Sequence, residues 1–102
     1  MGRLVKLHIK DYVDQVYSND DGVVIYQILK NELENSNKVS VSFQDIKALN
    51  SSFINSAFVE LLNDYDFQFI KENLSFVDST KAINNTIKSR FSFEIDERKQ
   101  YV

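Results

Sequence analysis

The chain has no cysteine, no proline and no tryptophan, only two glycines and a single histidine. Without cysteine there are no disulfides, no thiolate metal sites and no cysteine nucleophile, a composition that suits a reducing compartment. Gly2 and Gly22 alone cannot build a glycine-rich phosphate cradle, which argues against NTPase, kinase and dinucleotide-enzyme classes. With His8 as the lone histidine, a transition-metal set is not expected. Asp11, Asp14, Asp20 and Asp21 lack the glycine and terminal glutamate of a calcium loop. Long apolar runs are missing as well: charges interrupt every cluster well short of the roughly 18 residues that suggest a membrane span. Nothing resembles a signal peptide, so a cytosolic protein with no membrane partner and no cofactor is expected.

What is present suits one globular domain. The 102 residues can enclose a single core, and 43% are hydrophobic, with eight Phe and five Tyr. Net charge is -3, from 12 basic and 15 acidic residues spread along the chain. No basic stripe is concentrated enough to displace the counterions of a nucleic acid, and the acidity is too dilute for a DNA mimic. Lys88, Arg90, Arg98 and Lys99 gather near the end, but Glu94, Asp96 and Glu97 lie among them, as on a solvated face. The abundance of Asn, Lys, Ile, Phe and Tyr points to an AT-rich coding sequence.

Hydrophobic periodicity orders the elements. Leu4 to Ile9 reads as an opening strand. Lys10 to Asn19 has no clean period and reads as a second strand or an ordered loop, with the strand preferred. Asn19-Asp20-Asp21 supplies caps for a helix in which Val24, Ile25, Ile28, Leu29 and Leu33 recur at helical spacing, ending around residues 35–37. Val39, Val41 and Phe43 alternate with Ser40 and Ser42 in the best strand of the chain. Ile54, Ala57, Phe58, Leu61 and Leu62 then follow the i, i+3, i+4, i+7, i+8 helix pattern. A short helical turn over residues 66–72, a buried strand over Leu74–Val77 and a helix carrying Ala82, Ile83, Ile87 and Phe91 follow; Phe91 to Ile95 alternates as an added edge strand would. This succession predicts an α/β domain over residues 1–95, with a mixed sheet and about three helices packed mainly on one face. A loose charged tail is expected over residues 96–102.

Ser51 and Ser52 stand where the strongest helix begins. Hydroxyls at a helix mouth face unpaired amides and the positive end of the dipole. They can cap the helix, bind an anion or carry a regulatory phosphate, and the residues alone leave all three open. A hydrolytic serine is not expected: His8 lies in a strand pattern far off in sequence, and the G-x-S-x-G elbow is absent. Phe53 falls about 100° from Ile54 on a helical wheel, at the edge of the buried stripe. An aromatic there packs in the core or anchors a partner.

The run from Val39 to Leu62 resembles the central segment of STAS domains, the fold of bacterial anti-sigma factor antagonists. Those domains show an apolar strand, an acidic-apolar loop, and Asp-Ser-Ser/Thr-Gly at the start of a helix. Against that motif Asn50 takes the Asp position, Ser51 that of the phosphorylated serine, Ser52 the following hydroxyl and Phe53 the glycine. The chain is still more similar to the STAS-like family of uncharacterised bacterial proteins, through Ser51-Ser52-Phe53-Ile54-Asn55-Ser56-Ala57. The likeness extends from Gly22 through Phe91, with Asn73-Leu74-Ser75-Phe76 as a later landmark. It implies a single STAS-like domain acting as a non-enzymatic regulatory module, a phosphorylation-controlled partner switch centred on Ser51. Asn50, Ser52, Phe53 and Asn55 would form the contact surface. The implied partner is an ATP-binding anti-sigma-type kinase or another target protein. Asn50 and Phe53 depart from the motif, so a kinase would meet a bulkier, less acidic loop. The alternative is a small mobile-element or phage-encoded inhibitor or accessory protein that uses the fold as a scaffold, unphosphorylated, acting through another surface such as a homodimer.

Overall fold

Val39 and Val41 have no exposed surface, whereas Ser40 between them is half-exposed, and this alternation organises the sheet. The computed structural model describes residues 2–99. Three strands, β1 (Leu4–His8), β2 (Lys38–Ser42) and β3 (Leu74–Val77), pair in the order β1-β2-β3, and every pairing is parallel. The register stacks Val5, Val39 and Leu74 in one row and Leu7, Val41 and Phe76 in the next. Side chains alternate along each strand, so these six share the face that packs against the core. Lys6, Ser40 and Ser75 form a row on the other face and remain accessible. Parallel sheets are usually covered on both faces; here a lysine and two serines let the second face meet water.

Four α-helices connect and follow the strands: α1 (Asn19–Glu34), α2 (Ser51–Ala57), α3 (Phe67–Asn73) and α4 (Lys81–Lys99). Ile25, Leu29 and Leu33 of α1, Ile54 and Ala57 of α2, Ile70 of α3, and Ile83, Ile87 and Phe91 of α4 are all buried in one core. Right-handed crossovers between consecutive neighbours place both connections on the same sheet face. They also bring the starts of α1, α2 and α4 to the carboxyl end of the sheet. The α/β domain is therefore as expected, but among the described residues the sheet is wholly parallel rather than mixed, and the α-helices number four.

Three further differences have local causes. Residues 10–18 form no strand: a 3-10 turn over Ile9–Asp11 leads into a loop. Val13 and Val16, three apart, are buried while Tyr12 and Tyr17 are exposed, a spacing that period-two alternation cannot satisfy. The helix expected to run from Ser51 through Leu62 stops at Ala57, and a 3-10 turn over Val59–Asn63 follows. The tighter turn buries both Val59 and Leu61, only one of which lies on the apolar stripe of a straight helix. Phe91 to Ile95 continues α4 instead of forming an edge strand. Phe93 is 53% exposed with the Arg90 guanidinium 5.1 Å from its ring centroid, and Glu94 pairs with Arg98 at 3.1 Å, one helical turn on. Helix α4 thus passes the Asp96 boundary expected for a loose tail and reaches Lys99; residues 100–102 lie outside the described ones.

Helix α1 ends in a Schellman motif. The Ser36 amide donates to the Leu33 carbonyl and the Asn37 amide to that of Glu32, each at 3.0 Å. Ser36 takes a φ of 64°, the left-handed conformation that glycine adopts without penalty.

Candidate functional site

The first turn of α2 is held by a residue on its threshold. Asn50 has extended backbone angles, and its Oδ1 accepts from the Phe53 amide at 3.0 Å. That is an N-cap, and Asn50 rather than either serine supplies it. Its Nδ2 donates to the Tyr17 carbonyl at 2.6 Å, in the loop entering α1. Ser18, the next residue, caps α1 by accepting from the Asp21 amide at 3.1 Å. One carboxamide therefore caps a helix and ties it to the threshold of its neighbour. A carboxylate could cap equally well but would turn an oxygen toward the Tyr17 carbonyl.

The two helices also meet through their backbones. A Cβ on Gly22 would lie 2.6 Å from the Ser56 Cβ and 2.8 Å from the Phe53 carbonyl oxygen, so only glycine allows this approach. The Ser56 hydroxyl donates to Asn19 Oδ1 at 3.0 Å across the same seam.

Ser51 and Ser52 are the first two residues of α2, and both are exposed. Among the described residues, neither hydroxyl has a hydrogen-bond partner; the serine caps admitted by the sequence are not used. Phe53 points the other way, with 0% exposure, and packs edge-to-face on Phe58 at 6.1 Å. It is a core residue and does not belong to an accessible contact surface. Asn55 is half-buried, with its Oδ1 accepting from Arg90 Nε at 2.9 Å, which ties α2 to α4. Of the five positions singled out from the sequence, Asn50, Ser51 and Ser52 are exposed together, while Phe53 and Asn55 serve packing.

His8 ends β1 and stands opposite Ser42 in the register. Ser42 is 1% exposed; its hydroxyl donates to Asp78 Oδ2 at 2.7 Å and accepts from the Gln44 amide at 3.3 Å. This bond pins the turn after β3, where Asp78 has a φ of 54°, to the end of β2. No hydrogen bond joins His8 to Ser51 or Ser52 among the described residues. Between the loops leaving β1 and β2 lies a cavity of about 400 Å³, where Lys10 and Lys47 face Asp14 and Asp45. Among the described residues, no group of three or more His, Cys, Asp or Glu is placed to hold a metal ion. None of the described helices is long and apolar enough to cross a membrane.

One turn along α1 from Gly22, the Tyr26 hydroxyl donates to Asp64 Oδ2 at 2.6 Å, and Lys30 lies 3.6 Å from the same carboxylate. The hydrogen bond to Asp64, burial and the surrounding carboxylates push the Tyr26 phenol up to about 12.

Residues 21–84, more than half of the chain, match the model of the STAS-like domain of unknown function (DUF4325). The chain belongs to the STAS-like family. No curated protein and no solved structure matches it. The STAS-like match runs from the first turn of α1 to the first turn of α4 and contains α2 whole. Tyr17 and Arg90, the partners of Asn50 and Asn55, lie just outside it. In this STAS-like domain the seam between α1 and α2 was signalled in the sequence only by Gly22, a glycine where a helix former would be expected. The Tyr17 tie had no signal, because a backbone carbonyl is present at every residue.

Proposed function

We propose that this STAS-like domain is a non-enzymatic regulatory module that docks a protein partner around the first turn of α2, with Ser51 as phosphoacceptor. The observation that carries this reading is the cap. Because Asn50 satisfies the Phe53 amide, Ser51 and Ser52 are exposed and free of structural work. A phosphate on Ser51 would add about two negative charges. It would sit beside a seam whose α1 side already carries Asp20 and Asp21 in its first turn. The exposed surface there would change in charge without loss of the core beneath, which Phe53 fills. An ATP-binding anti-sigma-type kinase or a target protein is the class of partner this predicts.

The test is intact mass and co-purification with the products of neighbouring genes. One added phosphate, absent in Ser51→Ala, and opposite partner affinities for Ser51→Ala and Ser51→Asp are expected. A chain that never gains phosphate and binds identically in both variants has no switch at Ser51.

The second reading is an unphosphorylated scaffold, a mobile-element or phage-encoded inhibitor or accessory protein. Tyr12 and Tyr17 of the loop and Val23 and Val24 of α1 favour it, since all four expose apolar surface that needs no modification to bind. Binding that survives both Ser51 variants but is lost in Tyr17→Ala selects this reading. A solution mass of two chains that reverts to one in Tyr17→Ala would assign the surface to a homodimer.

A further inference from the structure

A groove on the opposite flank, unconnected with the Ser51 surface, has the features of a ligand site. It lies between α3, β3 and α4 and encloses about 260 Å³. Three aromatic rings line it, Phe67, Phe76 and Phe91, with the Phe67 and Phe91 centroids 5.4 Å apart. Lys71 of α3 and Lys88 of α4 stand on its two facing walls, and no carboxylate lines it. Among the described residues neither ammonium has an ion-pair partner. Lys71 Nζ instead sits 5.7 Å from the centroid of the Phe67 ring. The cavity at the carboxyl end of the sheet presents both signs of charge and selects no ligand class; this groove presents one.

We propose that the groove binds a small aryl carboxylate, its ring among Phe67, Phe76 and Phe91 and its carboxylate between Lys71 and Lys88. The volume suits roughly ten non-hydrogen atoms, below the usual range for drug-sized ligands, which excludes long acyl chains. Phenyl rings offer edges and faces to a flat apolar body. The two lysines supply the charge-assisted contacts that a neutral ligand of the same shape would forgo. A ligand of this size on so open a site binds in the high-micromolar to millimolar range.

Amide chemical-shift titration of the full chain tests this with three probes: phenylacetate, phenylacetamide and acetate. Phenylacetate is expected to give saturable shifts confined to α3, β3 and the middle of α4. Phenylacetamide should bind there about fivefold more weakly, as the loss of two partly exposed ion pairs implies. Acetate should leave those amides unmoved. Lys71→Gln with Lys88→Gln alters only exposed rim side chains, so the fold is retained. That variant should bring phenylacetate down to the affinity of phenylacetamide and leave phenylacetamide unchanged. Equal affinities for the acid and the amide, shifts centred elsewhere, or no saturable shift would each overturn the proposal. Ser51→Asp should not alter the titration, which keeps this site separate from the switch.

Discussion

The α1–α2 seam and the α3–α4 flank are built from opposite materials. The seam uses small groups: Gly22 against Ser56 and Ala57, the Asn19–Ser56 hydrogen bond, and the Asn50 carboxamide spanning from Phe53 to Tyr17. Backbones approach there until a single Cβ will not fit. The flank uses large ones: Phe67, Phe76 and Phe91 hold α3 and α4 apart and leave about 260 Å³ between them. Close approach gives geometry without free volume, so the seam presents a fixed surface with two exposed hydroxyls, those of Ser51 and Ser52. Bulky rings give volume, so the flank can take something in. The two regions of this STAS-like domain are thus suited to different kinds of recognition.

Phe53→Ala breaks the comparison most severely, since it hollows the core behind the seam. Loss of a fully buried phenyl ring should cost about 3–5 kcal/mol, measured by urea unfolding. Phe53→Gly, which restores the glycine of the antagonist motif, should fare no better. Gly22→Val comes next. Its side chain must push α2 away, and a loss of about 2–3 kcal/mol is expected where an ordinary helix position would gain from losing a glycine. Gly22→Ala at neutral or improved stability would show that the seam is loose.

Tyr26→Phe probes the next turn of α1, beyond the seam, and should cost about 1 kcal/mol at neutral pH through the bond to Asp64. Its pH dependence has a definite sign. The folded phenol titrates near 12 against 10.0 unperturbed, so its contribution is complete below pH 10 and lost as pH rises toward 12. In denaturation series across that window, Tyr26→Phe should lose less stability than the parent chain. Ser36→Gly should have the smallest effect, a gain of about 0.5–1 kcal/mol at a left-handed position remote from seam and flank.

How much of this was legible in the sequence depends on whether neighbours or distant residues decide each element. Val39 and Val41 show β2 by alternation, and Ile54 and Ala57 show the start of α2 by helical spacing; both stand in the structure, with Phe43 and Phe58 just past the ends of their elements. Phe91, Phe93 and Ile95 satisfy a period of two as well as a helix. The choice was made by Arg90 over Phe93 and by Arg98, which reaches back to the Leu62 carbonyl and Asn63. Phe53 lies at the edge of a stripe on a helical wheel, but the wheel cannot show that α1 approaches closely enough at Gly22 to enclose that edge. The family motif marked the position of Ser51. It did not show that Asn50 in place of the acid gains a second bond, to a carbonyl 33 residues away.

The central claim is that Asn50 carries the structure of this turn and leaves Ser51 and Ser52 free for recognition. Urea unfolding of three single variants, Asn50→Ala, Ser51→Ala and Ser52→Ala, tests it without any partner. Asn50→Ala should cost about 1.5–2 kcal/mol, from a lost cap and a lost tie to Tyr17, with each serine variant within about 0.5 kcal/mol of the parent. A loss at Ser51 or Ser52 equal to that at Asn50 would make the serines structural caps and contradict the account.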